Sequence, residues 1–409
     1  MPDPAPLLVF SDDWGRHPSS CQHLVSRLLG RRPVVWVNTI GMRPPRLNRA
    51  TATRGFEKLR QWARAEPNPP APFPRKEGGA SGASRPGHGA GSDSGSPLRF
   101  GEGLLSPRVL NPKMWPSFRS RVGRGLNRRL LARSLRPVVA ELAAPPVVVT
   151  TLPVTADLVG AFPAARWVYY CVDDFGVWPG LDGRTMRTME AELVAQVDNV
   201  IAVSETLQRH VAALGRPAHL LTHGVDLAHF RKTPPPAPHD LDALPGPLVV
   251  FWGVIDRRMD VEFVRRVGET MTAGTLLLVG PRDDPDPELF RCPRVRTLPP
   301  MAYDDLPELA ARAAVLVMPY ADLPVTRAMQ PLKLKEYLAT GKPVVVRRLP
   351  ATEPWADCLD VADTPDEFAA AVGARLRDRV PENQRAARAR LDAESWEAKA
   401  GLFERWIEG

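Results

Sequence analysis

The stretch Pro331–Val346, PLKLKEYLATGKPVVV, carries the pattern on which the fold turns. Pro331 suits the first position of a helix, where a missing N–H costs nothing. Leu332, Leu334 and Leu338 supply apolar positions, while Lys333 and Glu336, three apart, share another face. Gly341 suits the position just past a helix end, and Pro343 forbids continuation. Val344–Val346 then reads as a buried, β-branched strand. A Lys in the first turn of a helix that follows a loop can hold an anionic phosphate. Glu336, just over one turn in, can accept hydrogen bonds from sugar hydroxyls. The same two side chains also fit an ordinary surface helix with solvated charges.

Working outward, strands and helices alternate on both sides of this stretch. Leu248–Trp252, Thr275–Val279, Val295–Leu298 and Ala314–Met318 read as strands, the first and second ending at Gly253 and Gly280. Helices fall at about Met259–Met271, Asp304–Ala311, Pro365–Arg377 and Glu394–Glu408. The proline-rich segment Lys232–Pro247 (KTPPPAPHDLDALPGP) marks a domain boundary. Before it, Leu7–Phe10, a helix from about Ser20 and Val34–Val37 form a β-loop-α-β unit. Strands Pro146–Thr150, Trp167–Cys171, Asn199–Val203 and Ala218–Leu221 continue that first domain. Helices fall at about Arg184–Gln196 and at Glu205–Ala213, the latter capped by Ser204. Two Rossmann-like α/β domains facing across a cleft account for this order. The expected division is residues 1–232, a linker at 233–247, a second domain at 248–390 and a C-terminal helix at 391–409 that returns to the first domain.

Ala65–Pro97 is rich in Pro, Gly and Ser and nearly devoid of large apolar residues. It cannot bury enough surface to offset its ordering entropy, so it reads as a disordered insertion within the first domain. Arg54–Arg64 has the pattern of a basic amphipathic helix. Arg119–Arg136 (RSRVGRGLNRRLLARSLR) is a second, with leucines at helical spacing. It fits either a face toward an anionic membrane or lipid acceptor, or a core helix with a solvated arginine face.

The net charge of +8 favours anionic partners, but the basic stretches lack aromatic interleaving, which argues against nucleic acid. The four cysteines, Cys21, Cys171, Cys292 and Cys358, lie far apart with no CxxC pair. That argues against a zinc site or a disulfide scaffold and fits a reducing compartment. No apolar run approaches a membrane span and no signal pattern opens the chain, so a cytoplasmic protein is expected, peripheral at most to the inner membrane face.

Site candidates lie at the carboxyl ends of strands, where such folds bind ligands. Gly15 sits in the loop after the first strand, without a G-x-G-x-x-G fingerprint. Asp173 and Asp174 follow WVYYC; one can serve as a general base, or both can simply shape a turn. His223 reads as a turn residue.

Four segments in order resemble the GT-B glycosyltransferases, in particular the family 4-like, group 1 type: VDNVIAVSETLQRHV (Val197–Val211), LLTHGVDLAHF (Leu220–Phe230), LLLVGP (Leu276–Pro281) and PLKLKEYLATGKPVV (Pro331–Val345). The resemblance covers nearly the whole chain outside the insertion. It implies a nucleotide-sugar donor on the second domain and a glycan or lipid-linked acceptor, as in bacterial polysaccharide biosynthesis, with no metal and retention of configuration. By it, Glu336 binds the ribose and Lys333 lies near the diphosphate. The backbone at Pro331 and Leu332 faces the sugar or phosphates. Gly253, Arg257 or Arg258, and Gly15 approach the diphosphate.

One departure stands out. The family often pairs two glutamates with seven residues between them; the second falls on Glu336, the first on Ala328. The literal D-x-D at Asp284–Asp286, flanked by prolines, reads as a solvated loop and not as a metal motif. In an inverting course Asp173 or Asp174 would be the base. A nucleotide-sugar epimerase of the same fold and a non-catalytic scaffold are the rival readings.

Overall fold

The computed structural model describes residues 4–15, 19–38, 106–115, 117–232 and 241–409. The expected helix Arg54–Arg64, the segment Ala65–Pro97 and most of the linker lie outside the described residues.

The first domain is built on seven parallel strands: β1 (Leu7–Ser11), β2 (Val34–Asn38), β3 (Arg108–Leu110), β4 (Val147–Thr150), β5 (Arg166–Cys171), β6 (Asn199–Ala202) and β7 (His219–Leu220). Their order is β3-β2-β1-β4-β5-β6-β7. The inner strands are continuous apolar runs because helices cover both faces of a parallel sheet; Leu8, Val148, Val168 and Ile201 are wholly buried.

The second domain repeats the plan. Its strands are β8 (Leu248–Trp252), β9 (Ile255–Asp256), β10 (Thr275–Val279), β11 (Arg282–Asp283), β12 (Val295–Leu298), β13 (Ala313–Met318), β14 (Val344–Arg347) and β15 (Asp360–Ala362). Six form a parallel sheet in the order β12-β10-β8-β13-β14-β15, and β9 pairs with β11 beside it. Each sheet has its own apolar core. In each, chain order reverses at one point: between β1 and β4, and between β8 and β13.

The helix of the opening stretch spans Leu332–Ala339. Pro331 stands one place earlier than its composition suggests, at the N-cap, with an extended ψ of 121°. Gly341 closes the helix end with φ +74°. The preceding loop holds a short helix, Pro324–Ala328, where Leu323 N–H donates to Thr326 Oγ1 at 2.9 Å. The arginine-rich helix runs Arg121–Ala140, through Pro137.

Helix Trp396–Glu408 crosses back onto the first domain. Trp396, Ala400, Phe403 and Ile407 join that domain's core, and Glu397 and Glu404 pair with Arg27 and Arg31 at 2.9 and 2.5 Å. At the crossing, Lys335 is buried and pairs with Glu394, which also meets Lys399 at 2.7 Å. Burial pulls the Lys335 ammonium down to about 8, against the pull of Glu394.

Candidate functional site

The second sheet reverses between β8 and β13, the point in such a sheet where ligands bind in the crevice beyond the carboxyl ends of the strands. Gly253 follows β8, and Tyr320 lies just past β13. Helix Leu332–Ala339 projects Lys333 into the gap. Its Nζ donates to the Tyr320 hydroxyl and lies 4.8 Å from the Phe251 ring centroid. The approach depends on Gly253, because a Cβ there would lie 2.5 Å from Lys333 Nζ and φ is +133°. Gly280, after β10, presses on the same turn, since its Cβ would meet the Gly253 carbonyl at 2.0 Å.

Glu336 is one turn further along. Its Oε2 accepts from the Trp252 indole N–H at 3.2 Å, and the Trp252 backbone N–H donates to the Tyr337 hydroxyl at 3.0 Å. Burial pushes the Glu336 carboxyl up to about 7, opposed by the Trp252 hydrogen bond and by Lys333. A cation and a hydroxyl-accepting carboxylate thus converge where β8 and β13 part.

Arg258 and Arg257 separate clearly. Arg258 is held by Asp256, Nε to Oδ2 at 2.9 Å, and its guanidinium lies 5.0 Å from the ring of Trp178 in the first domain. Arg257 is exposed and pairs with Asp284 at 3.2 Å. Asp286 accepts from Glu288 N–H, capping the turn Pro287–Arg291. The D-x-D carboxylates are therefore engaged locally.

The first domain offers Asp173 opposite Arg258. Burial pushes its carboxyl up to about 7, Arg258 pulls it down, and Asp174 raises it. Asp174 Oδ1 accepts from Gly176 N–H at 2.9 Å. Potential ligand atoms of Asp174, Glu190 and His210 lie within 4.8 Å of one another. His210 Nε2 already bonds Glu190 Oε2 at 2.8 Å, and the Tyr169 hydroxyl donates to Oε1 at 2.7 Å, so these groups form a hydrogen-bonded set.

Gly15 follows β1, with φ +77°, and its N–H donates to Gln22 Oε1 at 2.9 Å. Gln22 also binds Asp12, whose backbone carbonyl accepts from the Trp36 indole at 2.8 Å. Ala328 is 3% exposed among the apolar residues of the first domain, and its carbonyl accepts from Ser204 Oγ at 2.7 Å. A glutamate side chain there would have to enter that apolar contact.

Trp252, Tyr320, Trp178 and Asp256 escaped the reading of the sequence. Trp252 and Tyr320 carry one usable signal: each stands at or just beyond the carboxyl end of a buried strand.

Comparison with known proteins gives three findings. Residues 246–378 match the family model described as Glycosyl transferases group 1. Over 201 residues the chain is 28% identical to a Bacillus subtilis (strain 168) protein named "Putative teichuronic acid biosynthesis glycosyltransferase TuaH". That match spans 46% of this chain and 51%, about half, of that protein. Among solved structures, sucrose-phosphate synthase (tll1590) from Thermosynechococcus elongatus aligns with TM-score 0.64 at 16% identity, over 99% of this chain and 98% of its own. Anabaena Alr3699/HepE in complex with UDP-glucose aligns with TM-score 0.64 at 12% identity, over 99% of each chain.

The two facing doubly wound domains are thus the GT-B fold of glycosyltransferases. Within it, residues 246–378 of the second domain are similar to the glycosyl transferases group 1 family.

Proposed function

We propose that this protein transfers a sugar from a nucleotide-sugar to an acceptor hydroxyl, in the assembly of a cell-surface polysaccharide or glycolipid on the cytoplasmic side of the membrane. The observation that carries this reading is the convergence of Lys333 and Glu336 on the crevice between β8 and β13. The group 1 match over the same domain supports it, as does the name of the Bacillus relative. A GT-B neighbour was captured with UDP-glucose.

In this reading Glu336 accepts hydrogen bonds from the ribose hydroxyls. Lys333 and Arg258 neutralise the leaving diphosphate, and the free N–H groups of the first helical turn after Pro331, at Leu332 and Lys333, add the helix dipole. Gly253 lets the diphosphate approach the backbone, and Gly15 meets it from the facing domain. Asp173 positions Arg258 in a retaining course and would be the general base in an inverting one. Charge stabilisation by these cations is the work a metal would otherwise do, so the reaction proceeds without one.

Nucleotide release from a panel of nucleotide-sugars, in EDTA and with a glycan or lipid-linked acceptor, tests the reading. Acceptor-dependent release is expected, lost on the order of 100-fold in Glu336→Ala. Activity that needs manganese would contradict the metal-free route. Interconversion of the nucleotide-sugar with no acceptor would establish an epimerase instead. NMR of the product anomer separates retention from inversion.

A further inference from the structure

The large apolar side chains left exposed among the described residues are Trp115, Val122, Leu126 and Val177. They gather on one side of the first domain. Asn127 holds the Trp115 backbone, its Oδ1 accepting at 2.6 Å and its Nδ2 donating at 3.0 Å. Trp115 Cδ1 would lie 3.5 Å from a Cβ at Gly123, so the indole stands beside helix Arg121–Ala140. Val122 and Leu126 are one turn apart on that helix. Arg119, just before it, pairs with Asp182 at 2.6 Å, and Gly183 abuts the Gly176 carbonyl next to Val177.

Basic residues surround these side chains. Arg129 and Arg133 continue the stripe of Val122 and Leu126, with Arg121 and Arg128 beside it, all exposed. None of these four arginines makes an ion pair among the described residues, and the helix contains no acidic residue. Arg124, turned inward, instead pairs with Asp157 at 2.7 Å and with Glu192. The helix thus turns Arg124 inward to its carboxylates, bonds Arg136 to the Ala161 carbonyl, and leaves Arg121, Arg128, Arg129 and Arg133 outward. The Val177 loop also carries Asp173 and Trp178, so the patch borders the rim of the cleft.

We infer that this face docks on an anionic phospholipid bilayer, with Trp115, Val122, Leu126 and Val177 entering the headgroup boundary and the arginines meeting lipid phosphates. A second copy of the chain is a poor occupant, because a two-fold contact would set like charges against each other. The inference goes beyond the transferase reading, and on it the acceptor reaches the cleft from the membrane surface.

Co-sedimentation of the full chain with vesicles tests it, comparing phosphatidylglycerol-containing with pure phosphatidylcholine vesicles at about 0.15 M salt. Binding to the anionic vesicles alone is expected, weakened roughly 30-fold in Arg129→Ala/Arg133→Ala. Val122→Glu/Leu126→Glu should weaken it comparably; both sites are exposed, so unchanged melting identifies a folded variant. Nucleotide-sugar binding, measured in parallel, should be unaffected, so a failed donor site and a failed docking face give different results. The inference is overturned if anionic vesicles do not bind, if neutral vesicles bind equally, or if the variants bind like the native chain. A dimer in light scattering that the Val122→Glu/Leu126→Glu change dissociates would also overturn it, by showing a second copy as the occupant.

Discussion

Lys333 owes its place to the missing side chain at Gly253. Gly253→Ala would put a methyl group 2.5 Å from the ammonium and force an L-residue to φ +133°. Loss of one charge-assisted contact predicts at least about ten-fold weaker nucleotide-sugar binding by calorimetry. If Glu336 holds the donor as proposed, binding depends on pH. Burial favours the neutral form of Glu336 and pushes its carboxyl up to about 7. On the proposed donor reading the ionised carboxylate accepts from the ribose hydroxyls, and the protonated form loses an acceptor. Affinity should therefore tighten several-fold from about pH 6 to about pH 8, and Glu336→Gln should flatten the profile. Lys333 and Glu336 were legible in the sequence because their spacing and helix position are local properties. Trp252 was not, because it meets Glu336 across 84 positions of chain. Arg257 and Arg258 could not be told apart, since only the β9–β11 pairing turns one outward and the other into the cleft.

At the scale of elements, helix Leu332–Ala339 serves two purposes on two faces. Lys333 faces the crevice, whereas Lys335, two residues on, faces the crossing of the C-terminal segment. Lys335 donates to the His223 carbonyl and to Glu394, and lies 3.1 Å from Thr222 Oγ1. Removing one partner of a buried pair leaves the other uncompensated, though Glu394 keeps Lys399. Lys335→Met should cost about 2–3 kcal/mol in denaturant unfolding. The strands most visible in the sequence were those buried on both faces, such as Leu248–Trp252. Arg108–Leu110 and Asp360–Ala362, three residues each, show no period to detect. Pro324–Ala328 is a single turn held by Thr326, too short to show a helical period.

At the scale of the molecule, each domain is a doubly wound sheet, and the alternation that builds such sheets was plain in the chain. The meeting of the domains was not, since Arg258 with Trp178 and Ser204 with Ala328 join residues 80 and 124 positions apart. Those contacts place the crevice between β8 and β13 opposite Asp173. On the proposed function, the donor is held chiefly by the second domain, through Lys333 and Glu336. The most direct test is thermal stabilisation by a panel of nucleotide-sugars in EDTA, for the native chain and for Glu336→Gln and Lys333→Ala. A rise in melting temperature with one nucleotide-sugar, lost or reduced in both variants, is the predicted result. No shift with any of them, or a shift that both variants retain in full, would contradict it.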